Sequence, residues 1–227
     1  MVDLLVRLGS VVLINIILSG DNAVVIALAS RNLPGKQRNK AIFLGSALAV
    51  ILRVLLVVIA TLLLRIPLLQ LIGGLALVYI GFHLLAGGDD DMEIEGNDNL
   101  WKAVKTILVA DLIMSLDNVL AIAGVAQGHW GVLIFGLAVS VPLVILGASI
   151  LSKLMNRFPI IVYIGAALIA YTAAEMMCSD SIAGHYLAPF ALIIKIVVTA
   201  GVVGFGFLAK RLAKSKKIKA DEKGSGN

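Results

Sequence analysis

The sequence is short of charge, of aromatics and of cysteine, and each shortage removes a class of protein. Charged residues make up 15% of the chain against 60% hydrophobic residues, too little polar surface to cover a water-soluble domain. A single cysteine, Cys178, permits no internal disulfide and supplies no thiolate cluster for a soft metal or an iron–sulfur centre, so it reads as small apolar filler. The three histidines are scattered and form no metal-binding motif, and the glycines from Gly201 to Gly206 precede no phosphate-binding sequence. They read as sites of close helix packing.

What is present is long apolar runs, with a mean hydropathy of +1.02. The runs approach 20 residues, the length that crosses a hydrocarbon core of about 30 Å at 1.5 Å per residue. The pattern predicts an all-α polytopic membrane protein with about seven spans, near 4–29, 41–64, 67–86, 102–126, 130–152, 159–178 and 188–209. The first run follows Asp3 without a basic leader and exceeds the apolar core of a signal peptide, so it is expected to be retained.

The net charge of +5 does not point to nucleic acid, because much of the excess lies in Lys210, Arg211, Lys214, Lys216, Lys217 and Lys219, after the last span. Arg31, Lys36, Arg38, Lys40, Lys102, Lys105, Lys153 and Arg157 fall in loops on that same side, whereas the other side keeps chiefly Arg7 and Arg65. The positive-inside rule then places the N-terminus outside and the C-terminus inside, with lipid around the spans.

Residues Gly87 to Asn99 read GGDDDMEIEGNDN, an acidic linker that divides the chain. The expected organisation is a first three-helix unit over 1–86, a linker over 87–101, a second three-helix unit over 102–178, a seventh span over 188–210 and a basic tail over 211–227. Asn15-Ile-Ile-Leu-Ser-Gly-Asp-Asn22 aligns with Asp111-Leu-Ile-Met-Ser-Leu-Asp-Asn118 at an offset of 96. Arg65-Ile-Pro67 matches Arg157-Phe-Pro159, and Ile72, Gly73 and Tyr79 match Ile164, Gly165 and Tyr171, at an offset of 92. An odd number of helices per unit sends the second copy through the membrane the other way, which is an inverted repeat.

Asp21 and Asp117 lie roughly 20 Å along their helices from opposite faces, so the two meet near the midplane. An ionised carboxylate there costs about 2.5–3.5 kcal/mol on insertion scales, and an amide would hold helices together more cheaply. Spacings of four and seven put Asn15, Ser19 and Asn22 on one helical face, and Asp111, Ser115 and Asn118 on its counterpart. Each Asp of the pair stands about 100° off that face, and Gly20 makes local unwinding plausible in the first copy, with Leu116 opposing it in the second. The candidate ligands are Asp21, Asn22, Asp111, Asp117 and Asn118, with Asn15, Ser19, Ser115 and Glu175 as accessories. All offer oxygen, which suits a hard divalent cation such as manganese, magnesium or calcium. Arg53 and Lys195, inside spans, are each able to neutralise an aspartate when the metal is absent, and His83 reads as an interfacial histidine.

The SGDN motif at Ser19–Asn22 and the SLDN motif at Ser115–Asn118, 96 residues apart in a seven-span chain, resemble the TerC family of membrane proteins, in its short YjbE-like branch. The resemblance covers roughly 5–210. It implies manganese export across the bacterial cytoplasmic membrane, a role for Asp21, Asn22, Asp117 and Asn118 with Asp111 beside them, and no resident cofactor. Inward protons are the expected counter-flow, because an acid that alternately binds an ion and a proton couples the two. Two other classes compete: a membrane enzyme using the paired aspartates, which lacks a nucleophile, and a scaffold, which leaves the midplane carboxylates without a purpose. The expectation is a transporter and not an enzyme, with self-association left open.

Overall fold

The computed structural model describes Gly9 and residues 19–63, 66–86, 96–126 and 130–224, and these residues contain helices and no strand. In chain order the helices are α1 (Gly20–Ser30), α2 (Gly35–Leu63), α3 (Leu69–Ala86), α4 (Gly96–Ala126), α5 (Trp130–Arg157), α6 (Ile160–Cys178), the short α7 (Ala183–Leu187) and, after a 3-10 turn at Ala188–Phe190, α8 (Ala191–Gly224). Among the described residues five stretches are long and apolar enough to cross a membrane: Gly35–Ile59, Leu69–Ala86, Ile134–Arg157, Ile160–Cys178 and Ala183–Leu212. They coincide with the second, third, fifth, sixth and seventh expected spans. The expected fourth span lies wholly within α4, and of the first, α1 carries the second part. Asn15 falls outside the described residues.

Two boundaries differ from the sequence reading. Helix α4 starts at Gly96, inside the expected linker. Helix α8 continues to Gly224 through the expected tail, which is rich in Lys and Ala, both good helix formers. Proline marks the starts: Pro34, Pro67 and Pro159 lie just ahead of α2, α3 and α6, and Pro189 lies in the turn ahead of α8. Pro142 alone sits inside a helix, α5.

The distribution of side chains is the reverse of a soluble protein's. Phe43, Ile51, Ile72, Leu146, Ile164 and Leu192 are exposed, while Ser19, Asn22, Arg53, Asp111, Ser115 and Asp180 are buried. Apolar side chains facing outward suit hydrocarbon, and between helices in lipid it is close packing, not water exclusion, that holds the bundle.

The helices fall into two groups. Helices α1, α2, α4 and α5 pack around one another, and α3, α6 and α8 form a second cluster beside them. Within the first, α2 runs alongside and parallel to α4: Gly45 abuts Ile107, and further along Arg53 reaches Asp111 and Ser115. Helix α5 runs parallel to α1 in the same way, with Gly147 near Ala23 and the Asn156 amide donating to Arg31 O at 3.2 Å. In the second group α3 and α6 are antiparallel, Gly74 meeting Ala173 and Gly81 meeting Ile169. A Cβ on Gly74 would lie 2.7 Å from the Ala173 carbonyl oxygen, so glycine is what allows these two backbones so close.

Candidate functional site

Helix α1 begins within the first motif. Ser19 has φ −106° and ψ 3° and is not helical, Gly20 is the first residue of α1, and the Ala23 amide donates to Ser19 O at 3.0 Å. Asp21 therefore stands in the first turn, where its Oδ1 accepts the Asn22 backbone amide at 2.8 Å and the dipole favours its charge. The second motif is different: Asp111, Ser115, Asp117 and Asn118 all lie within uninterrupted α4. The two copies are thus unequal in backbone, in the sense that Gly20 against Leu116 suggests.

Between α1, α2, α4 and α5 lies a cavity of about 20 Å³, space for a water molecule or a bare ion. Ser19 and Asn22 come to it from α1 and its start, Ser46 and Arg53 from α2, Asp111 from α4 and Ser140 from α5. Arg53, 4% exposed, ties these helices together. Its Nη2 donates to Asp111 Oδ1 at 2.7 Å, its Nε to Ser115 Oγ at 3.0 Å and its Nη1 to Ser19 Oγ at 3.2 Å. Ser115 Oγ in turn donates to Asp111 Oδ2 at 3.3 Å.

Two members of this wall are unsatisfied among the described residues. Asn22 is 3% exposed, yet among the described residues neither its Oδ1 nor its Nδ2 has a hydrogen-bond partner, and the Ser46 hydroxyl is in the same condition. A buried amide without partners costs about 1–3 kcal/mol, and the polar cavity beside it has room for a water molecule or an ion that would satisfy it. On the α5 side, Pro142 has no backbone N–H to give and weakens the helix ladder beside Val141 and Val144, which line the cavity.

The structure thus brings Ser19, Asn22, Asp111 and Ser115 together. Asp21 is half-buried and does not line the cavity. Asn118 is half-buried in α4, and the side chain of Asp117 lies outside the described residues. Among the described residues no three His, Cys, Asp or Glu side chains gather, so any ligand set here mixes carboxylate with amide and hydroxyl oxygens. Glu175 stands apart: 54% exposed in its side chain, it pairs with Lys195 at 2.9 Å, and that ammonium also donates to Tyr171 Oη at 3.4 Å and lies over the Tyr171 ring. His83 is exposed and stacks on Tyr79.

Buried carboxylate, amide and guanidinium on helices whose outer faces are apolar are what an integral membrane protein with an internal polar site looks like, and residues 2–218 match the sequence profile of the integral membrane protein TerC family. The chain belongs to the TerC family. It is 45% identical over 186 residues to the uncharacterized membrane protein YjbE of Bacillus subtilis, covering 82% of this chain and 85% of that one. It is 28% identical over 206 residues to the uncharacterized membrane protein YceF of the same organism, covering 86% and 79%. The UPF0053 protein YegH of Escherichia coli is 28% identical over 173 residues, which is 67% of this chain and 33% of that longer one. No solved structure matches.

In this TerC chain, motif reading alone misses Ser46 and Ser140 and ranks Arg53 too low. A signal for all three exists in the repeat. At an offset of 94, Ser46 falls on Ser140, and Val50-Ile51-Leu52-Arg53 falls on Val144-Ile145-Leu146-Gly147. Ser46 and Arg53 are seven apart and share a helical face, so the helix that carries the buried cation also carries a hydroxyl toward the same wall.

Proposed function

We propose that this TerC chain is a divalent metal-ion transporter that exports Mn2+ across the bacterial cytoplasmic membrane, in exchange for protons, with its N-terminus outside and its C-terminus inside. The observation that carries the reading is the Asn22 amide, buried and unpartnered, on the wall of a polar cavity that Asp111 and Ser19 also line. A carboxylate oxygen, an amide oxygen and hydroxyls in one small space are ligands for a hard cation. Ion and ligands would meet in the middle of the bundle, at the repeat-equivalent motifs. Asp21 and Asp117 complete the charge that a 2+ ion needs.

The helix pairings support an inverted repeat as the frame for this site. The parallel pair α2 and α4 corresponds to the parallel pair α5 and α1 when the halves are exchanged, and the antiparallel pair α3 and α6 corresponds to itself. That is the arrangement in which a site between the halves can be approached from either side.

Uptake by inside-out vesicles, measured for Mn2+, Mg2+, Ca2+ and Zn2+ with and without a pH gradient, tests the reading. Expected are Mn2+ accumulation that a pH gradient accelerates, and its loss in Asp21→Asn and Asp117→Asn at normal abundance, since asparagine keeps the size but removes one charge. Full export by either variant would remove that residue from the transport path.

A further inference from the structure

This inference rests on the transport reading above and concerns Arg53. A buried ion pair in a spanning region is costly, and apolar side chains of the same volume would pack α2 on α4 more cheaply. The pair also occurs once. The repeat places Gly147 opposite Arg53 and Asn15 opposite Asp111, so the second pair of positions lacks both charges together. Two charges absent in company indicate a unit with a task outside helix packing.

Counting charges gives that task a form. In the middle parts of the expected spans that supply the four helices around the cavity, Asp21, Asp111 and Asp117 are carboxylates and Arg53 is the one guanidinium, which leaves two net negative charges. That is the complement of a single divalent cation. Without Arg53 the same helices would hold three negative charges and bind such an ion too firmly to release it.

We propose that Arg53 is the resident counter-ion of the transport site: its guanidinium holds the Asp111, Ser115 and Ser19 oxygens until a divalent cation takes Asp111 from it. A guanidinium does not lose its proton at any relevant pH, so it yields by moving, not by neutralising. The incoming ion has something to gain that Arg53 leaves unused, namely the Asn22 oxygen and the Ser46 hydroxyl. Because Arg53 bonds to Ser19 at the start of α1 and to Ser115 and Asp111 on α4, its displacement also unties α1 and α4 from α2. Ion binding is thereby linked to helix movement, and Arg53 is a positioning residue and not a ligand.

The test is Mn2+ binding by full-length protein in lipid nanodiscs, read by electron paramagnetic resonance, together with Mn2+ flux in proteoliposomes. The expected result for Arg53→Gln is binding at least about tenfold tighter than wild type, from the uncompensated third carboxylate, with flux at least about tenfold slower. Equal or weaker binding at an unchanged unfolding temperature overturns the inference and makes Arg53 a packing residue. Should Arg53→Gln fail to fold, the double variant Arg53→Gln/Asp111→Asn removes the pair as a unit; flux at least about tenfold below wild type supports the inference, and wild-type flux overturns it. Wild-type protein that neither binds nor moves Mn2+ sinks the transport reading and the inference with it, whereas wild-type binding that Arg53→Gln leaves unchanged sinks the inference alone.

Discussion

Removing Asp111 should harm the fold more than removing Arg53, and the asymmetry follows from the chemistry of the two partners. Their charged atoms are 2.7 Å apart and their side chains are 6% and 5% exposed, so each relies on the other. In Asp111→Ala the guanidinium stays charged and keeps two hydroxyl acceptors, Ser115 and Ser19, which do not offset a positive charge. Breaking a buried pair this way costs about 3–5 kcal/mol, and the retained hydroxyl bonds put the expected loss near about 3 kcal/mol. In Arg53→Gln the carboxylate keeps the Ser115 hydroxyl and lines a cavity that can admit water, so the expected loss is smaller, about 1–2 kcal/mol. Replacing both, as Arg53→Met with Asp111→Leu, should bring stability back to within about 1 kcal/mol of wild type. The assay is a double-mutant cycle on unfolding equilibria in bicelles, followed by steric trapping. Purely additive single changes, or Asp111→Ala as stable as wild type, would refute the claim that the pair is energetically coupled.

Asp180 gives a second stability test, outside the spans. Burial alone would raise its carboxyl pKa, but backbone amides of Ala183, Ile182, Leu71 and Gln70 bond to it and leave the net pKa below the ordinary 3.8. A depressed folded-state pKa means the stabilisation is present above about pH 4 and is lost as pH falls through the folded value; Asp180→Asn should lose about 1–2 kcal/mol at pH 7 and show no such acid step. Gly74→Ala should cost about 1–3 kcal/mol in thermal unfolding, because its methyl would press on the Ala173 carbonyl; wild-type stability would show that α3 and α6 can separate freely. Reporter fusions should place Met1 outside and Asn227 inside, and both termini on one side would break the inverted-repeat reading.

Sequence carries the spans because hydrocarbon imposes a simple rule, a length of apolar residues, and the prolines at 34, 67 and 159 mark where helices restart. It carries less of their ends. Helix α4 begins at Gly96, ahead of the expected span, and α8 continues beyond its own, since polar composition forbids neither a helix start nor a helix of Lys and Ala. For the site, the helical-face argument joined Asn15, Ser19 and Asn22, and Asp111, Ser115 and Asn118; Ser19 and Asn22 line one cavity and Ser115 bonds to Asp111, but Ser19 is not helical and Asn15 lies outside the described residues. What spacing within one helix could not give is the partner across helices. Arg53 and Lys195 each had a carboxylate to neutralise, but only tertiary packing decides that Arg53 takes Asp111 and that Lys195 takes Glu175, well away from the cavity.

The division of labour between the two helix groups explains that separation. In the α3, α6 and α8 cluster the close contacts are made by glycine: Gly74 on Ala173, Gly81 on Ile169 and Gly206 on Leu85. Such contacts have one good geometry and tolerate little sliding, because a displaced backbone meets a neighbour's carbonyl or side chain at once. Around the cavity there is one such contact, Gly45 on Ile107, and polar bonds are added to it. Arg53, Ser19, Ser115 and Asp111 hold the helices by hydrogen bonds that can be exchanged for others, α1 begins at Gly20, and α5 carries Pro142 at the same level. Polar bonds in a dry interior are costly to break without a substitute and cheap to swap for one of equal strength. Substitutions in the glycine-packed cluster should therefore show first in stability, and neutral changes at Asn22 or Ser46, whose side chains make no hydrogen bond among the described residues, should show in ion handling at unchanged stability.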